Sequence, residues 1–160
     1  MVGFVPNVKA IALATVCVGA LYGSASAIAA DIAESAILAW NSHDSDKVAR
    51  YYTQDAVYED ATLGAVNHGT ADIRKFAQQF FDESPDAKFR VTSSFMRDGH
   101  GYAEWVMTGT DVGIFKTNKR FEVRGASIMQ GSPERLSNQT DYWDMATLMK
   151  QLGVMPEHRQ

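Results

Sequence analysis

Between residues 31 and 84, apolar side chains recur mostly with the period of an α-helix. The clearest run follows the i, i+3, i+4, i+7, i+8 spacing of an amphipathic helix: Ile73, Phe76, Ala77, Phe80 and Phe81. Two shorter helices are predicted before it, one over residues 31–41 and one from residue 45 to about residue 52. Residues 56–60 alternate like a short strand. Residues 67–70 are predicted to form a turn, with Thr70 as the N-cap of the third helix.

From residue 87 onwards, apolar and polar residues alternate instead. This period of two predicts four strands, near residues 89–96, 102–110, 120–130 and 135–143. Asp98-Gly99 is a hairpin signal between the first two of these strands. A short closing helix is predicted next, with Asp144 as its N-cap and Gly153 at its C-terminal end. Because the helices precede the strands, the order predicts an α+β fold in which helices pack on one face of an antiparallel sheet.

The first thirty residues have a different composition. Lys9 is the only charged side chain before Asp31, and residues 10–21 are all small or apolar. Residues 25–27, Ala-Ser-Ala, form the small-x-small pattern that a signal peptidase reads. We therefore predict a signal peptide over residues 1–27 and a single domain over residues 28–160, secreted or periplasmic. A retained membrane anchor is the alternative, although the apolar run is shorter than the ~20 residues that span a bilayer.

Composition narrows the class of protein further. The 160-residue chain is 46% apolar and 21% charged, which is typical of a globular domain. Cys17, the only cysteine, lies in the predicted signal peptide, so no disulfide or cysteine metal site is expected. Removing that segment leaves 14 basic against 19 acidic side chains, a net charge of −5, so no nucleic-acid partner is predicted. Dinucleotide and phosphate-loop motifs are absent, and we predict neither a cofactor nor a metal.

Several short motifs follow this order of elements. They are Tyr51–Asp60, Gly69, Pro85-Asp86, Gly109–Gly113 and the ending Asp141–Asp144 with Leu148 and Gln151–Gly153. Together they resemble the nuclear transport factor 2-like superfamily, and within it the SnoaL-like polyketide (ester) cyclase family. The resemblance implies a cone of three N-terminal helices packed on a curved antiparallel sheet around an apolar pocket. It also implies a homodimer formed through the outer face of the sheet. Isomerases, dehydratases, epoxide hydrolases, cyclases and binding proteins share this fold, so the activity stays open.

Asp141 is the predicted catalytic residue. Gln139, Asp141 and Trp143 lie on one face of the last strand by alternation. In the cyclases that the chain resembles, an aspartate at this place is the general acid/base. A carboxylate held in an apolar cavity has a raised pKa and can move a proton beside a carbonyl. The alternative is a structural aspartate that caps the closing helix or pairs with Arg124. The resemblance also places Ser127 where the cyclases have a histidine.

The predicted substrate-binding residues are aromatic or polar side chains expected to surround the pocket: Trp40, Asp60, Phe80, Trp105, Arg124, Gln139 and Trp143. Plain core packing is the alternative for the aromatic residues, and a solvated turn is the alternative for Asp60.

Two functions follow. The first is an exported, cofactor-free enzyme of the cyclase, isomerase or hydrolase type that uses Asp141 on a small apolar molecule. The second is a non-catalytic periplasmic ligand-binding or accessory domain with the same pocket. The expected partners are that small molecule and a second copy of the chain, and a membrane only if the N-terminal segment is retained.

Overall fold

The computed structural model describes residues 31–155, so the predicted signal peptide and Cys17 lie outside the described residues. Four α-helices and six strands follow one another in the order α1 (Ile32–Ala39), α2 (Ser45–Ala49), β1 (Tyr52–Asp60), β2 (Ala65–His68), α3 (Gly69–Glu83), β3 (Lys88–Arg97), β4 (His100–Thr110), β5 (Arg120–Gly131), β6 (Leu136–Trp143) and α4 (Met145–Leu152). A 3₁₀ turn, Trp40–Ser42, extends α1. Within residues 31–155, no helix is both long and apolar enough to cross a membrane.

The six strands form one curved sheet in the order β2-β1-β6-β5-β4-β3. All neighbouring pairs are antiparallel except β1 and β6, which run parallel. This parallel pair sets Asp60 directly beside Asp141, and the β5–β6 pair sets Ser127 on the other side of Asp141. Three polar side chains therefore meet in one row across the inner face of the sheet.

Helices cover that inner face, so the predicted α+β architecture is confirmed. On α3, the row Ile73, Ala77 and Phe81 is buried in the core. The neighbouring row, Phe76 and Phe80, is only partly buried and packs against the core from its edge. The helix thus has one row for packing and a second row that is free to line a cavity.

Three local predictions need correction, and one is confirmed. Residues 67–70 do not form a turn: residues 65–68 are β2, which pairs with the end of β1, and α3 follows directly from Gly69. Tyr52 begins β1, so the second helix ends at Ala49. Thr70 lies inside α3 and does not cap it, because the helix starts at Gly69, whose φ of 74° suits glycine. Asp144 does cap α4, accepting a hydrogen bond from the Thr147 amide at 2.8 Å.

Candidate functional site

An apolar cavity of ≈ 100 Å³ lies between the inner face of the sheet and helices α3 and α4. Eight aromatic residues line it: Trp40, Tyr58, Phe76, Phe80, Phe89, Trp105, Phe121 and Trp143. Leu63 and Ile114 also line it, and each is about half exposed, which places them where the cavity opens to solvent. The cavity is therefore an aromatic pocket with an apolar rim.

The aromatic wall is built from edge-to-face and tilted contacts between rings. Trp40 meets Phe76 with ring centroids 6.3 Å apart at 82°, and Phe80 with centroids 5.5 Å apart at 81°. The Trp105 ring packs over Gly125 so closely that an added Cβ there would overlap the indole. Such aromatic pairs contribute ~0.5–1.5 kcal/mol each beyond their buried area. The rings of the wall therefore support one another by packing.

Asp60, at the end of β1, is the predicted binding residue that brings a carboxylate to this cavity. It is buried, which excludes the solvated turn. The Trp143 indole N–H donates to both of its oxygens, at 3.1 and 2.9 Å, and the Leu63 amide donates to Oδ1 at 2.8 Å. Burial raises the pKa of Asp60 despite these hydrogen bonds. The residue therefore holds a proton more readily than a solvated aspartate.

Asp141 lies next to Asp60 on the sheet but is not part of the cavity lining. Its side chain is behind Tyr58, whose hydroxyl donates to Oδ2 at 2.5 Å, while the Gln139 amide donates to Oδ1 at 2.8 Å. Burial raises the pKa of Asp141 to about 6, although hydrogen bonds from Ser127, Tyr58 and Gln139 oppose the shift. A ligand would thus meet the Tyr58 ring before it met Asp141.

A buried hydrogen-bond network holds Asp141 in place. Gln139 accepts from the Tyr52 hydroxyl at 2.8 Å and donates to Asp141, so it orients the carboxylate and does not line the cavity. Ser127, where the cyclases have a histidine, accepts from the Trp105 indole at 2.9 Å. The network therefore links one wall of the cavity to the acid behind it.

Arg124 takes no part in this arrangement. It alternates with the buried Val123 along β5 and is exposed on the outer face of the sheet. Within the described chain, Asp141 has no ion-pair partner. The structure thus separates Arg124 from Asp141 and gives the capping role to Asp144.

Two further acidic residues line the cavity, and the sequence prediction did not include them. Glu83, at the end of α3, accepts a hydrogen bond from Gln79 at 2.9 Å. Asp111 accepts from the Phe115 amide and from both the amide and hydroxyl of Thr117. Burial would raise the pKa of Asp111, but these hydrogen bonds outweigh it and hold the pKa below its ordinary value.

Tyr58 and Phe76 also line the cavity, and alternation on β1 puts Tyr58 on the same face as Asp60. Helical spacing likewise puts Phe76 beside Phe80. No group of three or more His, Cys, Asp or Glu side chains among residues 31–155 could hold a metal ion.

The family model of SnoaL-like polyketide cyclases matches residues 30–152. The chain belongs to the SnoaL-like polyketide cyclase family. For this SnoaL-like protein, the match covers both halves of the site, from Trp40 on the aromatic wall to Asp141 on β6. No curated protein is close enough in sequence to count as a match.

Solved structures agree with this assignment at the level of the fold. A protein with a ketosteroid isomerase-like fold from Catenulispora acidiphila, in complex with trimethylamine, is 19% identical with a TM-score of 0.71, covering 78% of this chain and 93% of its own. Proteins described as SnoaL-like polyketide cyclases from Shewanella denitrificans and Shewanella putrefaciens are 24% and 15% identical, with TM-scores of 0.65 and 0.66. They cover 78% of this chain each, and 96% and 95% of their own. The SnoaL-like chain thus has the nuclear transport factor 2-like fold that the sequence predicts.

Proposed function

We propose that this SnoaL-like protein is an exported, cofactor-free enzyme that moves a proton on a small, mainly apolar molecule. The observation that carries the proposal is the pair of adjacent carboxyl groups: Asp60 at the cavity wall, and Asp141 one hydrogen bond behind Tyr58. Both pKa values are raised, chiefly by burial. A carboxyl group whose pKa approaches the working pH can both accept and return a proton.

The two acids have different proposed roles because only one lines the cavity. Asp60 is the proposed catalytic residue: its carboxylate takes a proton from the carbon beside a substrate carbonyl, the electrons of the C–H bond form the enolate, and the carboxyl group then returns a proton to carbon. Asp141 is a proposed positioning residue, which fixes the Tyr58 hydroxyl and sets its proton affinity. This modifies the role that the sequence suggested for Asp141, where it was the general acid/base itself.

Carbonyl substrates give a direct test of this mechanism. Cyclohexanone and 2-indanone exchange their α-protons slowly in D₂O, and proton NMR follows the exchange. We expect the protein to accelerate the exchange of a ketone that fits the cavity. Asp60→Asn should lower the rate by about 10²-fold or more, as expected when a general base is removed. Asp55→Asn, an exposed aspartate on the same strand, is the matched control and should keep the wild-type rate.

The second candidate is a non-catalytic ligand-binding or accessory domain. It is favoured by the burial of Asp141 behind Tyr58 and by Ser127 in place of the cyclase histidine. A ketone that binds in the cavity and shows only the buffer rate of exchange would contradict the enzyme and support the binding domain.

We also propose that the protein forms a homodimer through the outer face of the sheet. Ile128 and Tyr142 lie on that face, opposite the helices, and are 52% and 55% exposed. Phe95 stacks on Tyr102 on the same face, with ring centroids 6.3 Å apart. Apolar side chains grouped on an open sheet face are typical of an interaction surface.

A further inference from the structure

The charged groups of the cavity wall all have the same sign. Its lining includes three acidic residues, Asp60, Glu83 and Asp111, and no lysine, arginine or histidine. None of the three forms an ion pair with another residue in the described part of the chain. Lys119 lies beside the lining, but its ammonium group donates to the carbonyl oxygen of Leu152 at the end of α4. The cavity therefore offers negative charge to a ligand, and no basic side chain among the lining residues offsets it.

The aromatic part of the cavity wall also favours a positively charged ligand. Aromatic rings carry a negative face and attract a cation placed over that face within ~6 Å of the ring centre. Trp40, Tyr58, Trp105 and Trp143 are the electron-rich rings among those that line the cavity. Because the wall combines such rings with carboxylates in a mainly apolar cavity, both contributions favour a positive ligand and oppose an anionic one.

We infer that the cavity binds a small organic cation of the tertiary or quaternary ammonium class, with its alkyl groups against the aromatic rings and its charge facing the carboxylates. The inference rests on the proposed function only in taking this cavity as the ligand site. A bulky alkylammonium fits better than a primary amine, because its alkyl shell needs no hydrogen-bond acceptors and matches the apolar lining. The cavity volume of ≈ 100 Å³ limits the part of the ligand that enters it to a head group of a few carbon atoms.

Three probes of nearly the same shape separate charge from size. Choline is the cation, 3,3-dimethylbutan-1-ol replaces its nitrogen by carbon, and 3,3-dimethylbutanoate carries the opposite charge. The protein has three tryptophans, and Trp40, Trp105 and Trp143 all line the cavity, so tryptophan fluorescence can report binding. Isothermal titration calorimetry at constant ionic strength gives the Kd values.

We expect choline to bind about tenfold more tightly than the neutral alcohol, as cation–aromatic attraction in a desolvated site implies. The anion should not bind measurably. Asp60→Asn and Glu83→Gln should each weaken the binding of choline more than the binding of the alcohol, and so reduce this preference. Asp55→Asn should keep the wild-type preference. Having two acidic variants keeps the test valid if one of them folds poorly.

Two results would overturn the inference: equal or tighter binding of the alcohol, and no binding of any probe. The proposed enzyme is tested separately by α-proton exchange. A preference for choline without ketone exchange would contradict the proposed enzyme and support the cation site. Ketone exchange without a preference for choline would support the enzyme and contradict the cation site.

Discussion

The pKa of Asp141 gives a quantitative prediction for Asp141→Asn. Burial raises this pKa from 3.8 to about 6, which means that folding disfavours the charged form. Ionisation of Asp141 should therefore cost the wild-type protein nothing below pH 4, and should lower its stability progressively as pH rises through the window between these two values. A shift of about two units corresponds to ~3 kcal/mol of unfolding free energy, nearly all of it lost by pH 7. Asparagine cannot ionise, so the variant should lack this loss.

The hydrogen bonds of the substituted side chain decide the absolute stability. The new asparagine side chain would still accept from Gln139 through its oxygen, and its amide could donate to the Tyr58 hydroxyl, so the cost should stay near ~1 kcal/mol. Near neutral pH, Asp141→Asn should thus be at least as stable as wild type.

Urea unfolding at pH 4 and at pH 7.5 measures the difference. We expect the stability of the variant relative to wild type to increase by ~2–3 kcal/mol between the two pH values, a change of roughly 10 °C in relative melting temperature. Asp55→Asn, which is exposed, should show the wild-type pH dependence. A variant that is much less stable than wild type at pH 7.5, with unchanged pH dependence, would refute the raised pKa of Asp141 and favour a structural carboxylate.

Three further predictions concern packing, assembly and processing. Gly125→Ala should destabilise the fold by ~1–3 kcal/mol, seen in urea unfolding, because the new methyl group overlaps the Trp105 ring. Light scattering should give about twice the monomer mass, and Ile128→Glu should give the monomer mass; a monomeric wild type would contradict the dimer. Protein recovered from its native host should begin near Ile28 by N-terminal sequencing, and a soluble cytoplasmic form that keeps Met1 would contradict export.

The fold was largely predictable from the sequence because its elements have strong periods. Phe76 and Phe80 mark α3 by spacing alone, and the later strands alternate clearly. β2 was missed because it is only four residues long, too short to show a period of its own, and pairing with β1 stabilises it as a strand. The parallel pairing of β1 with β6 is a tertiary contact between distant segments, so no local pattern indicates it.

The sequence predicted which side chains of the candidate site lie on the inner face of the sheet, but not which of them reach the cavity. Alternation put Gln139, Asp141 and Trp143 on one side of β6, yet only Trp143 lines the cavity. The difference depends on Tyr58, whose ring fills the space in front of Asp141. Arg124 shows the opposite error: it alternates in step with Glu122, so the pattern itself puts it on the outer face of the sheet.

The β1–β6 pair joins residues that are 81 positions apart in the sequence, Asp60 and Asp141. Contacts across so long a separation form late in folding, because the closure entropy of the intervening chain must be overcome first. The two acids therefore come together only when β6 docks beside β1. The free-energy cost of placing two buried carboxyl groups side by side arises in that step. Above the pKa of Asp141, undocking of β6 would relieve this cost. We expect the boundary between β1 and β6 to open first as pH rises, which would show as faster amide hydrogen exchange along β6 than along β4, which lies between β3 and β5.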